Sequence, residues 1–244
     1  VGLPDRALAA FADEAAAEPE QSTQWVRAFL LGVAGNSFQG KGSKTQAVTV
    51  GGIRPDGDDA CNGVTEAFLD AFDRTPVADP HLFVRWHPGL SREVWEKTVA
   101  MLAAGRAMPH IVSDASAIPG LQRCGLAPAD AMNYCIVGCN EIAIPGTCCQ
   151  SGFSLQTGFT DTGILDDVLR AEGASPTGMD EVFAGFEGRV YDRMTEAIAR
   201  RQEAVDRTVA LHPFPFTSAC CRGSVANGDD YLRAMPYPDV YGVF

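Results

Sequence analysis

The sequence predicts an α/β fold, because segments typical of strands and segments typical of helices alternate along the chain. Short runs rich in β-branched and aromatic residues at 46–50, 81–86 and 109–113 are typical of buried strands. Turn residues bound them: Gly51-Gly52 follow the first run, and residues 54–59 read Arg-Pro-Asp-Gly-Asp-Asp. This alternation indicates one continuous layer of strands.

Each element of the first half has its own local signal. The helices predicted between and before these strands cover residues 8–17, 22–31, 62–72, 117–123 and 128–132, and a further one opens at Ser91 with Glu93 and Glu96 in its first turns. Asn62 is a candidate N-cap for the helix at 62–72. A loop rich in Gly, Ser and Lys is predicted at 32–44.

The second half predicts one more strand and one long helix. The strand at 134–137 ends at Gly138 and leads into an irregular loop that contains Cys139 and Glu141. After a stretch rich in Gly, Thr and Ser, a long helix is predicted at 180–209, with weak breaks at Gly185 and Gly188. Residues 213–216, Pro-Phe-Pro-Phe, are predicted to be extended.

Composition excludes several classes of protein. The 244 residues are 46% hydrophobic and 20% charged, as expected for a globular protein with a substantial core. The net charge of −12 argues against nucleic acid or an anionic membrane as the partner. No apolar run is long enough for a transmembrane span, and the first residues do not resemble a signal peptide. We therefore expect a cytoplasmic protein.

The 8 cysteines do not fit an extracellular disulfide framework, because two vicinal pairs occur without a secretory signal. They lie at positions 61, 124, 135, 139, 148, 149, 220 and 221. Reduced thiols are the better interpretation. A structural zinc site is not expected, since the spacing of the four cysteines at 135–149 is not that of two C-x2-C knuckles and no histidine is near. Cys135 is predicted to be a core residue.

Cys139 and Glu141 are the candidate catalytic residues. In an extended segment residues i and i+2 point to the same side, so this thiol and this carboxylate can face one cavity. A substrate pocket is predicted from Ser151, Phe153 and Ser154, with Phe38 among the residues at 37–39. The histidines at 81, 87 and 110 are each expected to be hydrogen-bonded structural residues.

Several blocks, in order, resemble the glycyl radical enzymes with a pyruvate formate-lyase-type domain. They are Val48-Thr49-Val50-Gly51-Gly52, Asp56-Gly57 with Asn62, Pro80-His81-Leu82-Phe83-Val84-Arg85, Met108-Pro109 with Asp114 and Gly125, Ala131 and Tyr134 with Gly138-Cys139-Asn140-Glu141, and the Pro-Phe-x-Ser-like block at 213–218. The ordered series, which covers about residues 45–230, is far more specific than any single block.

The resemblance implies a barrel of strands wrapped by helices, with the cysteine loop at its centre. It also implies a radical on a backbone glycine, installed by a separate activating enzyme that uses S-adenosylmethionine and an iron–sulfur cluster, with no other bound cofactor. By match to the motif, Cys139 carries the thiyl radical and Glu141 is the general acid or base of the dehydratase and eliminase branches. The partners implied are a small polar substrate, the activating enzyme and a second copy in a homodimer.

Two departures from the family pattern limit the assignment. Asn140 stands where an apolar residue is expected, and the Cys-Cys pair of pyruvate formate-lyase is absent, which argues against that specific activity. The chain also has no Arg-Val-x-Gly-Tyr-like radical motif. We therefore expect residues 1–244 to be part of one barrel domain, with an N-terminal part and the radical segment outside this chain.

The leading functional hypothesis is a glycyl radical dehydratase or related C–O or C–N lyase. Three alternatives stay open. A radical decarboxylase of the same family also carries a Cys-x-Glu loop. A homologue without a radical domain would serve as a binding or scaffold module. A non-radical thiol enzyme would use Cys139 as nucleophile and would need a histidine brought close by folding.

Overall fold

The computed structural model describes residues 2–39, 46–138, 141–147, 161–171 and 178–234. Those up to residue 147 belong to one compact unit and those from 161 to a second. In chain order the first unit contains α1 (Pro4–Ala7), a 3-10 turn (Ala9–Phe11), α2 (Ala12–Ala17), α3 (Pro19–Gln39), β1 (Ala47–Gly51), α4 (Gly63–Arg74), β2 (His81–Trp86), α5 (Arg92–Ala103), β3 (His110–Ser113), α6 (Asp114–Arg123), α7 (Pro128–Ala131), β4 (Cys135–Val137) and β5 (Glu141–Ala143). The α/β prediction is confirmed.

The strands β1, β2 and β3 form a parallel sheet in that order. Thr49 lies opposite Phe83, and Phe83 lies opposite His110. Since paired residues share a face and successive residues alternate between faces, the sheet has two chemically distinct sides. The first, the helix face, carries the aliphatic residues Val48, Val50, Leu82 and Val84. The second, the hairpin face, carries Thr49, His81, Phe83, Arg85 and His110.

The helix face is covered by α3, α4 and α5. Its core is almost entirely aliphatic and aromatic: Leu30, Val48, Val50, Val64, Phe68, Leu69, Phe72, Leu82, Val84, Val94 and Met101 are buried together. The predicted N-cap of α4 is confirmed. The side chain of Asn62 accepts a hydrogen bond from Val64 N at 2.9 Å, and Thr65 Oγ1 accepts one from Asn62 N at 3.1 Å.

The loop predicted at 32–44 is wrong for residues 32–39, which continue α3 to Gln39. Gly32 and Gly35 each cost a helix only about 1 kcal/mol. Leu30 and Ala34, four residues apart and therefore on one face, are both buried and offset that cost. Tertiary packing thus extends a helix that local propensity ends.

The antiparallel hairpin β4–β5 was not expected, since the chain after Gly138 was predicted to be irregular. Ile136 pairs with Ile142 and Val137 with Glu141, so the candidate carboxylate stands on a strand. Ile136 and Ile142 are both buried. The alternation of apolar residues at 142 and 144 is too short to distinguish a strand from a loop in the sequence alone.

The second unit contains α8 (Asp161–Leu169), α9 (Met179–Leu211), α10 (Pro215–Ala219), α11 (Arg222–Asn227) and α12 (Tyr231–Ala234). The predicted breaks in the long helix are wrong, because α9 is continuous. Gly185 serves close packing instead: a Cβ there would lie 3.2 Å from Val168 Cγ1 of α8. The extended prediction for 213–216 is also wrong beyond Phe214, since Pro215 begins α10, a position that proline favours.

Candidate functional site

The carboxylate of Glu141 folds back over the turn that precedes it. Gly138 has φ +59°, in the left-handed region that favours glycine. A Cβ on Gly138 would lie 3.0 Å from Glu141 Cδ and 3.2 Å from Oε1, and closer still to Oε2. Glycine therefore suits the backbone conformation here, and the Glu141 carboxylate occupies the space that a Cβ would take.

Glu141 is the one predicted site residue whose side chain the described part of the chain includes. Cys139 and the predicted pocket residues Ser151, Phe153 and Ser154 lie outside the described residues. Phe38 belongs to α3, but its side chain is outside the description. Cys139 and Asn140 complete the connection between β4 and β5 in the sequence, so the thiol is one residue from Gly138 and two from Glu141.

The hairpin is fastened to the sheet through Thr49 of β1. Ile136 N donates a hydrogen bond to Thr49 Oγ1 at 2.9 Å, in an interior where Thr49 is fully buried. A backbone donor of β4 is thereby satisfied by a side chain of the hairpin face. Cys135, predicted to be a core residue, is buried on β4, and this prediction is confirmed.

The base of the hairpin is held by a buried ion pair. Arg85 Nε lies 2.8 Å from Asp114 Oδ1, and Arg85 Nη2 lies 2.9 Å from Oδ2, a two-point contact between side chains that are both 0% exposed. Arg85 Nη1 also donates to the carbonyl oxygen of Tyr134 at 2.9 Å. Strand β2 thus binds directly to the residue that precedes β4.

Tyr134 closes this network in two further ways. Its hydroxyl donates to Asp114 Oδ1 at 2.7 Å, and its ring lies under the Arg85 guanidinium, 3.8 Å from Cζ to the ring centroid. Burial, together with the negative charge of Asp114, raises the pKa of the Tyr134 phenol above its usual range, so it remains a hydrogen-bond donor.

The Gly51-Gly52 pair explains how two charged groups fit under the end of β1. Both glycines have positive φ, +76° and +83°. A Cβ on Gly52 would lie 2.5 Å from Arg85 Nε and 2.8 Å from Asp114 Oδ2. The backbone of residue 53 then adds a further contact, as Ile53 N donates to Asp114 Oδ2 at 2.7 Å. Gly52 therefore makes room for the ion pair.

A second layer of charge comes from α1. Arg6 Nη1 donates to the carbonyl oxygen of Met132 at 3.0 Å and Nη2 to that of Ile53 at 3.0 Å. Burial and the nearby Arg85 lower the pKa of Arg6 to about 10. Burial raises the pKa of Asp5, which accepts hydrogen bonds from Gly51 N and Thr65 Oγ1, to about 6. The residues just before the hairpin are thus bound to α1 through Arg6, to β2 through Arg85 and to α6 through Asp114.

Sequence reasoning missed this network, although its members carried the family resemblance. Arg85, Asp114 and Tyr134 stood in the matched blocks as separate letters, and nothing local in the sequence indicates that they meet. A usable signal was the arginine that ends an otherwise apolar strand, because a charge in a buried strand needs a partner.

The arrangement places a carboxylate, a group suited to accept or return a proton, at the start of β5. The described residues hold no group of three His, Cys, Asp or Glu side chains placed to bind a metal ion. Nor does any described helix combine the length and the apolar character that crossing a membrane requires.

Comparison with known proteins decides the family. The family model described as pyruvate formate lyase-like matches residues 29–242. The chain belongs to the pyruvate formate lyase-like family. The match takes in the sheet, the Arg85–Asp114–Tyr134 network and the Gly138–Glu141 hairpin, and it confirms the family predicted from the ordered blocks.

The similar proteins include two named for dehydration and one named as a glycyl radical enzyme. The (2S)-3-sulfopropanediol dehydratase of Klebsiella oxytoca is 28% identical over 213 residues, which are 78% of this chain and 25% of that protein. A Roseburia inulinivorans protein solved for its 1,2-propanediol dehydration has a TM-score of 0.68 at 21% identity, covering 79% of this chain and 24% of that one. A glycyl radical enzyme from Archaeoglobus fulgidus has a TM-score of 0.68 at 21% identity, covering 80% and 27%.

These matches show the fold, and their coverage shows how much of each similar protein corresponds to this chain. The chain spans about a quarter of the length of the curated relative and of the solved structures that it matches. The predicted membership of a glycyl radical enzyme fold is confirmed. The prediction that residues 1–244 are part of one barrel domain stays a prediction.

Proposed function

We propose that the complete gene product containing this chain is a glycyl radical lyase that removes water, or a comparable leaving group, from a small hydroxylated substrate. The observation that carries the proposal is the packing of the Glu141 carboxylate over Gly138, the residue immediately before Cys139. The dehydratase relatives support vicinal diols as the substrate class. Dehydration is preferred to decarboxylation because a proton acceptor is built into the cysteine turn.

Cys139 carries the hydrogen atom in this proposal. The glycyl radical that the family implies, installed by an activating enzyme with S-adenosylmethionine and an iron–sulfur cluster, supplies the acceptor that converts the thiol to a thiyl radical. The Cys139 sulfur then takes a hydrogen atom from a substrate carbon that bears a hydroxyl group, so that an S–H bond forms and a C–H bond breaks.

Glu141 carries the proton. The hydroxyl group on the carbon radical is more acidic than before, and Glu141 accepts its proton. The electron density left on that oxygen expels the hydroxyl of the neighbouring carbon, which departs as water after taking the proton that Glu141 accepted, so that the carboxylate is restored. The Cys139 S–H then returns its hydrogen atom to the product carbon. A diol has become a carbonyl compound and water, and the thiyl radical is restored.

The hairpin face supports these steps physically. Ile136 and Ile142 are buried behind the turn, and the Thr49 hydroxyl satisfies the backbone of β4. An apolar, internally satisfied support excludes water from a reactive sulfur. The residues Ser151, Phe153, Ser154 and Phe38 remain our proposal for further parts of the substrate pocket.

The test uses the complete gene product, prepared anaerobically with its activating enzyme and S-adenosylmethionine. We expect an electron paramagnetic resonance doublet from a glycyl radical and conversion of 1,2-propanediol or (2S)-3-sulfopropanediol to a carbonyl product. In the Cys139→Ala variant the doublet persists and turnover falls to background, because the radical is made but not passed on.

Cys124→Ala is the matched control, since Cys124 is an exposed free cysteine. It is expected to keep both signal and turnover. Turnover by Cys139→Ala would contradict the proposal. Release of carbon dioxide from a carboxylate substrate, without dehydration, would favour the decarboxylase alternative, and absence of any doublet with a competent activating enzyme would favour the scaffold alternative.

A further inference from the structure

Two histidines lie side by side on the hairpin face of the sheet. His81 opens β2 and His110 opens β3, and their ring centroids are 5.7 Å apart. Phe83 lies beside both rings, with centroids 6.4 Å from His81 and 5.0 Å from His110. The three rings form a small patch, polar at its edge and apolar at its back.

Strand β4 runs toward the level of this patch. Tyr134 is bound at the level of Arg85, and Ile136 is bound to Thr49, which pairs with Phe83. Strand β4 therefore runs antiparallel to the sheet strands, from their carboxyl ends toward their amino ends. One strand rise of about 3.3 Å per residue takes Gly138 to the level at which β2 begins.

His81 differs in its hydrogen bonding from His87, the histidine that directly follows β2. His87 Nε2 lies 3.1 Å from Asp59 Oδ1, and His87 Nδ1 accepts a hydrogen bond from Gly89 N at 3.2 Å, so the structural role expected for His87 is confirmed. His81 Nδ1 is buried and has no hydrogen-bond partner among the described residues. A buried nitrogen without a partner is costly, which makes a ligand contact favourable.

We propose that His81 and His110 form a hydroxyl-binding subsite at the amino ends of β2 and β3, which takes one hydroxyl group of a small hydroxylated ligand. The link of this subsite to turnover rests on the proposed function. A neutral imidazole offers one donor and one acceptor nitrogen, which matches the one donor and two acceptor positions of a hydroxyl group.

The surroundings keep His110 in that neutral form. Burial and the neighbouring His81 lower the pKa of His110. The expectation that His81 and His110 are merely structural is replaced by this proposal.

The test measures binding of 1,2-propanediol and of glycerol to the complete gene product before activation, by isothermal titration calorimetry. His81→Phe and His110→Phe keep a ring but remove the polar atoms, and each is expected to raise the dissociation constant of the diol about three- to tenfold, the loss of one hydrogen bond. His81→Asn, which restores a polar group near the position of Nδ1, is expected to stay within about twofold of the parent.

His212→Phe is the control, since His212 is exposed at the end of α9. A change in fold would affect binding by the Phe and Asn variants alike, so recovery by His81→Asn separates binding from structure. The proposal is overturned if the parent binds neither diol, or if both Phe variants bind as the parent does. Because binding precedes radical formation, histidine-dependent binding without any turnover would leave the subsite standing and refute the proposed function.

Discussion

The base and the turn of the β4–β5 hairpin differ in the burial and the partners of their charged side chains. At the base, Arg85 and Asp114 are wholly buried, and they contact each other, Tyr134 and the backbone N–H of Ile53. At the turn, a half-buried Glu141 rests on a glycine. Charge fixes the position of the hairpin at its base, and we propose that charge serves proton transfer at its turn.

This difference shows why a reactive loop needs a costly support. Taking a guanidinium and a carboxylate out of water is expensive, and the ion pair offsets that cost only when its geometry is fixed. A fixed geometry is what a hydrogen-atom transfer requires, since reacting atoms must approach within about 3–3.5 Å. In the proposed function, the buried ion pair at the base thus fixes the position of the turn next to Glu141.

Breaking the base is expected to have the largest effect on stability. Arg85→Met leaves Asp114 buried without its ionic partner and is expected to lower the free energy of unfolding by about 3–5 kcal/mol. Urea unfolding followed by circular dichroism measures it. Arg92→Met is the matched control, because Arg92 pairs with Glu96 at 2.7 Å on an exposed helix surface and is expected to change little. A loss with Arg85→Met as small as with the control would contradict the account of the base.

Altering the turn is expected to affect activity more than stability. Gly138→Ala meets the left-handed backbone cost of about 1–2 kcal/mol and also displaces the Glu141 carboxylate. Displacement by about 1 Å is expected to lower kcat by about a hundredfold in the activated enzyme.

Gly228→Ala isolates the backbone contribution. Gly228 has φ +69°, and a Cβ there would meet no atom within 4 Å. The Gly228→Ala variant is expected to lose about as much free energy of unfolding as Gly138→Ala and to retain kcat. Equal kcat in the two variants would show that the contact between residue 138 and Glu141 has no catalytic role.

Local features of the fold could be predicted from the sequence and distant ones could not. The Asn62 cap and the strand at His81–Trp86 follow from residues that are near neighbours in the chain. The full length of α3 depends on the burial of Leu30 and Ala34, which the sequence around Gly32 does not reveal. Pairing of residues far apart needs the folded chain.

In the candidate site, too, relations between near neighbours could be predicted from the sequence, and contacts between distant residues could not. The i, i+2 spacing of Cys139 and Glu141, together with the ordered family blocks around them, singled out both residues as candidates. The contact of Glu141 with Gly138 depends on a hairpin, and the binding of Arg85 to Asp114 joins residues 29 positions apart. The histidine pair was missed for the same reason, since only the register of β2 and β3 brings His81 and His110 together.

The most direct measurement of the central claim follows hydrogen-atom transfer by Cys139 separately from proton transfer by Glu141. The complete gene product, activated in D2O, is given 1,2-propanediol as the wild type, as Glu141→Gln and as the control Glu93→Gln, whose Glu93 is exposed. We predict that Glu141→Gln still breaks the substrate C–H bond, so that deuterium gained by exchange of the Cys139 S–H with D2O enters recovered diol, while product formation falls by about 10²–10⁴. Glu93→Gln is expected to match the wild type. Product formation by Glu141→Gln at the wild-type rate would contradict the assignment of proton transfer to Glu141.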